Sequence, residues 1–240
     1  MRTALSDRGA MLGSGLGVSQ CAPLGARPLR QKDVRRAISF PGISDQITIG
    51  NVAPLNNIVS LTLEGWFKLD QTSGLRWLIN KYVGGIGVGL WLQSNSRLWF
   101  DYNASSLSVG FVPGLTWHFL CATTEVNVGR KIFVDAQLKA SDGVYPSSGS
   151  LPLLVSGSGN GVGRLIGQSY GVRCYNRALQ PSEIAEHYRG IYSNNDGLVG
   201  RWDLDEPDGL TAYDKSGYGN HGTLVGNPQR VQVFRPERLL

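Results

Sequence analysis

Charge is scarce in this chain. Of its 240 residues only 17% are Asp, Glu, Lys or Arg, and it holds three cysteines, three histidines and two methionines. Each shortage excludes a class of chemistry. Cys21, Cys121 and Cys174 are odd in number and lack CxxC spacing, so neither a disulfide framework nor a zinc knuckle is indicated. His118, His187 and His221 lie far apart in sequence with no HxxxH pair, which argues against metal catalysis through histidine. No apolar run approaches the roughly 18 residues of a membrane-spanning helix. In the opening stretch MRTALSDRGAMLGSGLGVSQCAPLGA, Asp7 and Arg8 interrupt what could serve as the apolar core of a signal peptide. The expectation is a protein with no membrane partner and no conventional export signal.

Glycine, by contrast, is abundant, at 32 residues, a balance that suits short strands joined by many turns. A chain of this length fits one large β domain. Its formal charge of +5 is confined to residues 1–36, where Arg2, Arg8, Arg27, Arg30, Lys32, Arg35 and Arg36 face only Asp7 and Asp33. The body is therefore neutral, which argues against nucleic acid as the main ligand. Residues 1–36 show no sustained periodicity and are expected to form an extended basic arm that orders against other protein subunits. The GSGLG within it has no strand before it and no GK[ST] after it, so it is read as arm rather than phosphate loop.

From Ala37 onward the chain alternates in short segments divided by Gly, Asn, Asp and Ser, the pattern of an antiparallel β-sandwich. In SLTLEGWFKLD, Leu61, Leu63, Gly65, Phe67 and Leu69 share one face, while Thr62, Glu64, Trp66 and Lys68 share the other. IGVGLWLQ pairs with RLWFDY and WHFLCATT pairs with RKIFVDAQL as two hairpins. LQPSEIAEHYRGIY is expected to be the one helix: Pro181 suits its first turn, Glu183 and Glu186 its N-terminal half, and Gly190 its end. Ile184, Ala185 and Tyr188 would form its apolar face.

These segments, in this order, resemble the laminin-G-like jelly roll of the concanavalin A-like lectin and glucanase superfamily. AISFPGISDQITIGN is similar to the family's opening F-D-G-x-x-D-Y-V pair, and LTLEGWFKLD to its T-I-E-A-W-V-K strand. WHFLCATTEVNVGRKIFVDAQL is similar to its W-H-H-V-A…L-Y-V-D-G-x-L hairpin, and VRCYNRALQPSEIAEHY to its closing strand and helix. The likeness covers residues 37–192. WDLDEPDGLTAYDKSGYGNHG resembles the family's first strand and turn, displaced here to the C-terminus as in a circular permutation. The resemblance implies an all-β, concanavalin A-like jelly roll with one short helix over residues 37–240. The displaced strand then completes either its own sandwich, which its short length favours, a neighbour's by exchange, or a truncated second repeat.

Three kinds of site follow. Asp203 and Asp205, at i and i+2, would lie about 6–7 Å apart on a strand, near the spacing of a retaining glycosidase pair. The stretch lacks the leading Glu of the family's glucanases, so a non-catalytic protein is expected, with these carboxylates accepting turn N–H groups. The family's calcium site implies Asp214, Asn220 and Asp45 as ligands, although Pro41 stands where the family has Asp. Trp66, Trp91 and Trp99 lie out of phase with the aliphatic face of their strands, which makes them either a stacking platform for a glycan or a second hydrophobic layer. The function expected is that of a non-catalytic virion structural protein, a phage capsid decoration or tail protein on the particle exterior, docking through residues 1–36, forming a homo-oligomer or part of a larger assembly, and binding glycans. The alternatives are a cell-surface carbohydrate-binding module and a glycoside hydrolase.

Overall fold

The structure is a computed structural model. It describes residues 34–71, 73–83, 86–93, 97–102, 105–111, 114–144, 152–157 and 163–234. In chain order the strands are β1 (Val34–Phe40), β2 (Gln46–Gly50), β3 (Leu61–Leu69), β4 (Arg76–Val83), β5 (Ile86–Gln93), β6 (Arg97–Tyr102), β7 (Ser105–Gly110), β8 (Trp117–Glu125), β9 (Gly129–Val134), β10 (Gln137–Asp142), β11 (Leu153–Val155) and β12 (Gly167–Tyr175). After the helix α1 (Pro181–Tyr188) come β13 (Leu198–Trp202), β14 (Thr211–Ala212), β15 (Gly222–Val225) and β16 (Gln229–Phe234). They make two eight-stranded sheets. The first runs β10-β9-β8-β3-β12-β1-β16, with β13 paired to β12; the second runs β14-β15-β2-β11-β4-β5-β6-β7.

Alternation along each strand decides which side chains meet between the sheets. Leu61, Leu63 and Phe67 of β3, Leu90 of β5, and Leu98 and Phe100 of β6 are all fully buried there. Each such side chain contributes about 1.5–3 kcal/mol relative to leaving it in water. Both expected hairpins form, β5 on β6 and β8 on β9. The architecture is the antiparallel sandwich that the sequence pattern implies, with one α-helix and a single 3-10 turn at Ala53–Leu55 among the described residues. None of those residues forms a helix long and apolar enough to cross a membrane.

The outer face of β3 is covered too. Thr62 and Glu64 are fully buried as well, because α1 and the segment after it lie across this sheet. Gln180 and Glu183 close a capping box at the start of α1, and Pro181 occupies its first turn. The helix buries Ile184 and His187, so His187 takes the place expected for Ala185.

The acidic C-terminal stretch closes the chain's own sandwich. β13 pairs with β12, β15 with β2, and β16 with β1 in a register running from Val34↔Phe234 to Ser39↔Gln229. Strand β1 starts at Val34 rather than Ala37, so Arg35 and Arg36 belong to the sheet and not to the arm. Residues 1–33, the rest of the expected arm, lie outside the described residues.

Candidate functional site

The outer face of the second sheet carries a row of aromatic rings. Trp91 of β5 and Trp99 of β6 are register partners, and their rings stack 5.2 Å apart at 11°. Trp77 of β4 continues the row, 5.5 Å from Trp91, and Tyr82 lies 5.7 Å beyond it. Glycine makes this possible. A methyl group at Gly89 would sit 2.4 Å from the Trp77 ring, so only a bare backbone lets the indole lie flat on β5. Arg97 reaches over Trp99, its guanidinium carbon 5.7 Å from the ring centre, and donates to the Ser108 hydroxyl at 2.7 Å.

Three polar atoms in this patch are buried without a hydrogen-bond partner: the Nε1 donors of Trp91 and Trp99, and Oδ1 of Asp101. Asp101 is 7% exposed. Burial pushes its carboxyl above the usual carboxylate range, against the pull of Ser106, of the Trp91 indole beside it and of the Arg130 charge. Leaving a buried polar group unpaired costs about 1–3 kcal/mol, and such costs concentrate where a ligand completes the pairing.

Trp66 does not join this platform. It is 1% exposed and sits on the other sheet, stacked 5.9 Å from Tyr170 and 5.6 Å from Tyr188 of α1. Arg35 lies over the Tyr170 ring at 4.6 Å. Here the second hydrophobic layer is what forms, and no sugar can reach the Trp66 ring.

The carboxylates of WDLDE act as cross-links. Strand β13 ends at Trp202, and Leu204 adopts a left-handed φ of 58°, so Asp203 and Asp205 do not alternate as strand neighbours. Asp203 accepts from Arg173, Arg201 and Lys215 at 3.3, 2.8 and 3.3 Å. Burial pushes its carboxyl up, but the hydrogen bonds from Arg201 and the charges of Arg173, Arg201 and Lys215 outweigh it and hold the group below the usual range. A carboxylate so fixed carries no proton to donate. Glu206 accepts from the Tyr213 N–H and pairs with Arg230, both at 2.9 Å.

The calcium set fares no better. Asp214 accepts from the backbone N–H groups of Arg201, Ser216 and Asn220 at 2.9 Å each and from the Ser216 hydroxyl at 2.8 Å. The Asn220 backbone carbonyl accepts from the Trp202 indole N–H, and its side-chain amide N–H donates to the Val199 carbonyl. Asp45 accepts from Gly42 and Asn227, both at 2.7 Å. Donors take all four lone-pair sites of Asp214 and one on each oxygen of Asp45, whereas calcium needs several free oxygens converging. Among the described residues, no group of three His, Cys, Asp or Glu side chains is placed to hold a metal. The residues do not fit a calcium ion; Asp214 caps the glycine-rich turn instead.

Sequence reasoning missed a buried pair beneath α1. His187 Nδ1 lies 2.9 Å from Glu64 Oε1, with both side chains almost wholly out of solvent. Tyr192 lies over the His187 ring, and Arg173 stacks 3.6 Å above Tyr192. The one sequence cue was a histidine three residues after Ile184, on the same face of the helix. Cys121 and Cys174 are buried too, and burial pushes both thiols up, which leaves them inert as nucleophiles.

With this geometry in view, a family profile described as the concanavalin A-like lectin/glucanases superfamily matches residues 41–185. No curated protein sequence matches the chain. Similar solved structures include a Bacteroides ovatus protein assigned to carbohydrate binding, with TM-score 0.67 and 18% identity over 88% of this chain. The match spans 62% of that protein's length. A heptameric SAP-like pentraxin from Limulus polyphemus gives 0.59 and 13%, covering 86% of this chain and 98% of its own. The CBM40 module of a Ruminococcus gnavus IT-sialidase, bound to α2,3-sialyllactose, gives 0.51 and 13%, covering 65% and 97%. At these identities the likeness is one of fold. Profile and fold agree, and the chain belongs to the concanavalin A-like lectin/glucanase superfamily.

Proposed function

We propose that this domain is a non-catalytic carbohydrate-binding module whose glycan lies on the outer face of the second sheet. The observation that carries this reading is the stacked Trp91–Trp99 pair beside three unpartnered polar atoms. The C–H face of a sugar ring packs on indole. A sugar hydroxyl both donates and accepts, so one that enters as the indoles tilt can answer an indole N–H and the Asp101 carboxylate together. Fold relatives support it: the Bacteroides protein is assigned to carbohydrate binding, and the CBM40 module holds a sialylated sugar. The pinned state of Asp203 supports the non-catalytic part.

A glycan array followed by calorimetry tests the proposal. Trp91→Ala and Trp99→Ala are each expected to weaken the best glycan by about tenfold or more while the circular dichroism spectrum stays native. An array with no hit, or a hit indifferent to both substitutions, overturns it.

One observation favours a second reading, that of a virion structural protein assembled through its N-terminal arm: residues 1–33 hold Arg2, Arg8, Arg27, Arg30 and Lys32 against only Asp7 and Asp33. Imaging of the native assembly tests it, and a particle whose neighbouring subunits never touch residues 1–33 counts against it.

A further inference from the structure

The edge of the first sheet builds a separate cavity of about 550 Å³, lined by Phe111, His118, Asp135, Gln137, Lys139 and Tyr188 among others. It owes nothing to Trp91 or Trp99. That volume is in the range of small-ligand sites, and the cavity opens to solvent along Gln137 and Lys139.

His118 is its fixed point. The imidazole leaves the start of β8 with Nδ1 2.8 Å from Asp135 Oδ2, and the other oxygen of Asp135 accepts from the Phe119 N–H at 2.9 Å. Phe111 meets the ring edge-on at 5.0 Å. A carboxylate only accepts, so Nδ1 carries the proton shared with Asp135 and Nε2 is presented toward Thr116 Oγ1, 3.3 Å away. Asp135 is thus held by two donors, one on each oxygen.

Lys139 is different. Its ammonium donates to the neutral Gln137 carbonyl at 2.7 Å, and none of the ion pairs among the described residues includes it. The cavity therefore combines a cation not paired with a carboxylate, an imidazole pinned by Asp135 with a hydroxyl beside it, and two aromatic walls, Phe111 and Tyr188. Carboxylate, hydroxyl and ring face are what these groups recognise.

We infer that this cavity is a second ligand site, for a carboxylate-bearing sugar of the uronic acid class. Lys139 pairs with the carboxylate, Phe111 and Tyr188 flank the ring, and the His118–Thr116 edge takes a ring hydroxyl. Asp135 acts as a positioning residue through His118.

The test is a titration of the intact protein with D-glucuronate, read by chemical shifts and calorimetry, alongside D-glucose and the neutral methyl ester of glucuronic acid. Glucuronate is expected to bind at least tenfold more tightly than either neutral probe. Lys139→Ala, an exposed strand position that leaves the fold intact, is expected to weaken glucuronate by about tenfold. Trp91→Ala is expected to leave it unchanged, which separates this site from the platform on the other sheet. Silence toward glucuronate, equal binding of acid and ester, indifference to Lys139→Ala, or loss through Trp91→Ala alone each overturns the inference.

Discussion

Ala136 occupies a position that prefers glycine. The β9–β10 hairpin turns on two residues, Asp135 and Ala136, with φ of 50° and 62°. Both central residues of such a turn are left-handed, which is why Asp-Gly dominates there. A side chain in that conformation costs about 1–2 kcal/mol, partly offset by the greater unfolded-state freedom of glycine. Ala136→Gly is therefore expected to stabilise the domain by about 0.5–1 kcal/mol, read as a higher urea midpoint with an unchanged slope. The opposite sign would mean that the Ala136 methyl, which packs at the margin of the core, contributes more than the turn loses. This strain was readable in the sequence, because VDAQL stands where the resemblance expects V-D-G-x-L. The roles of Asp101 and Arg97 were not, since both depend on which strands lie beside β6 in space.

At the scale of elements, α1 was legible in its ends but not in its rotation. Pro181 and Gly190 bracket it as their backbone preferences require. Which face it buries depends on Glu64, a carboxylate on β3 that needs a partner, so the helix turns His187 inward. The same dependence explains Trp66: period-two alternation says which face a side chain takes, never what will cover that face. Beside the pair, Arg177 grips Glu183 in a two-pronged ion pair at 2.8 and 2.7 Å, and Gln180 and Asn194 donate to the same carboxylate. The Arg177 hydrogen bonds are the main cause that holds the Glu183 carboxyl down at about 2, against the upward push of burial. A depressed acid stabilises the fold above its unfolded value and loses that contribution as pH falls through its folded value. Stability is expected to decline between about pH 4.5 and about 2, and Glu183→Gln to flatten that decline. Denaturation at a series of pH values checks it; parallel curves for both proteins would remove α1 from the acid response.

For the whole molecule, closure comes last in the chain. The texture of residues 37–192 announced a sandwich, and the C-terminal motif hinted that its missing strands lay downstream. Pairing partners more than a hundred residues apart, such as β2 with β15, could not be read from local pattern. The acidic run shows the same limit: a cluster of carboxylates looks catalytic until Arg173, Arg201, Lys215 and Arg230 are seen to hold it. Deleting residues 229–240 would strip β16 from β1 and leave Glu206 without Arg230. Breaking a buried pair costs about 3–5 kcal/mol, and a bared strand edge invites association. The shortened chain is expected to elute as aggregate and to unfold at much lower urea; a monomer with an unchanged midpoint would show that the sheet does not rely on β16.

The pairing of Val34 with Phe234 places entry and exit of the sandwich side by side, on antiparallel neighbours at one rim of a sheet. Force transmitted through both ends would load the rungs between those two strands one at a time, like a zipper, rather than all together in shear. A domain wired this way yields early under tension, and whatever is joined to either end hangs from the same corner.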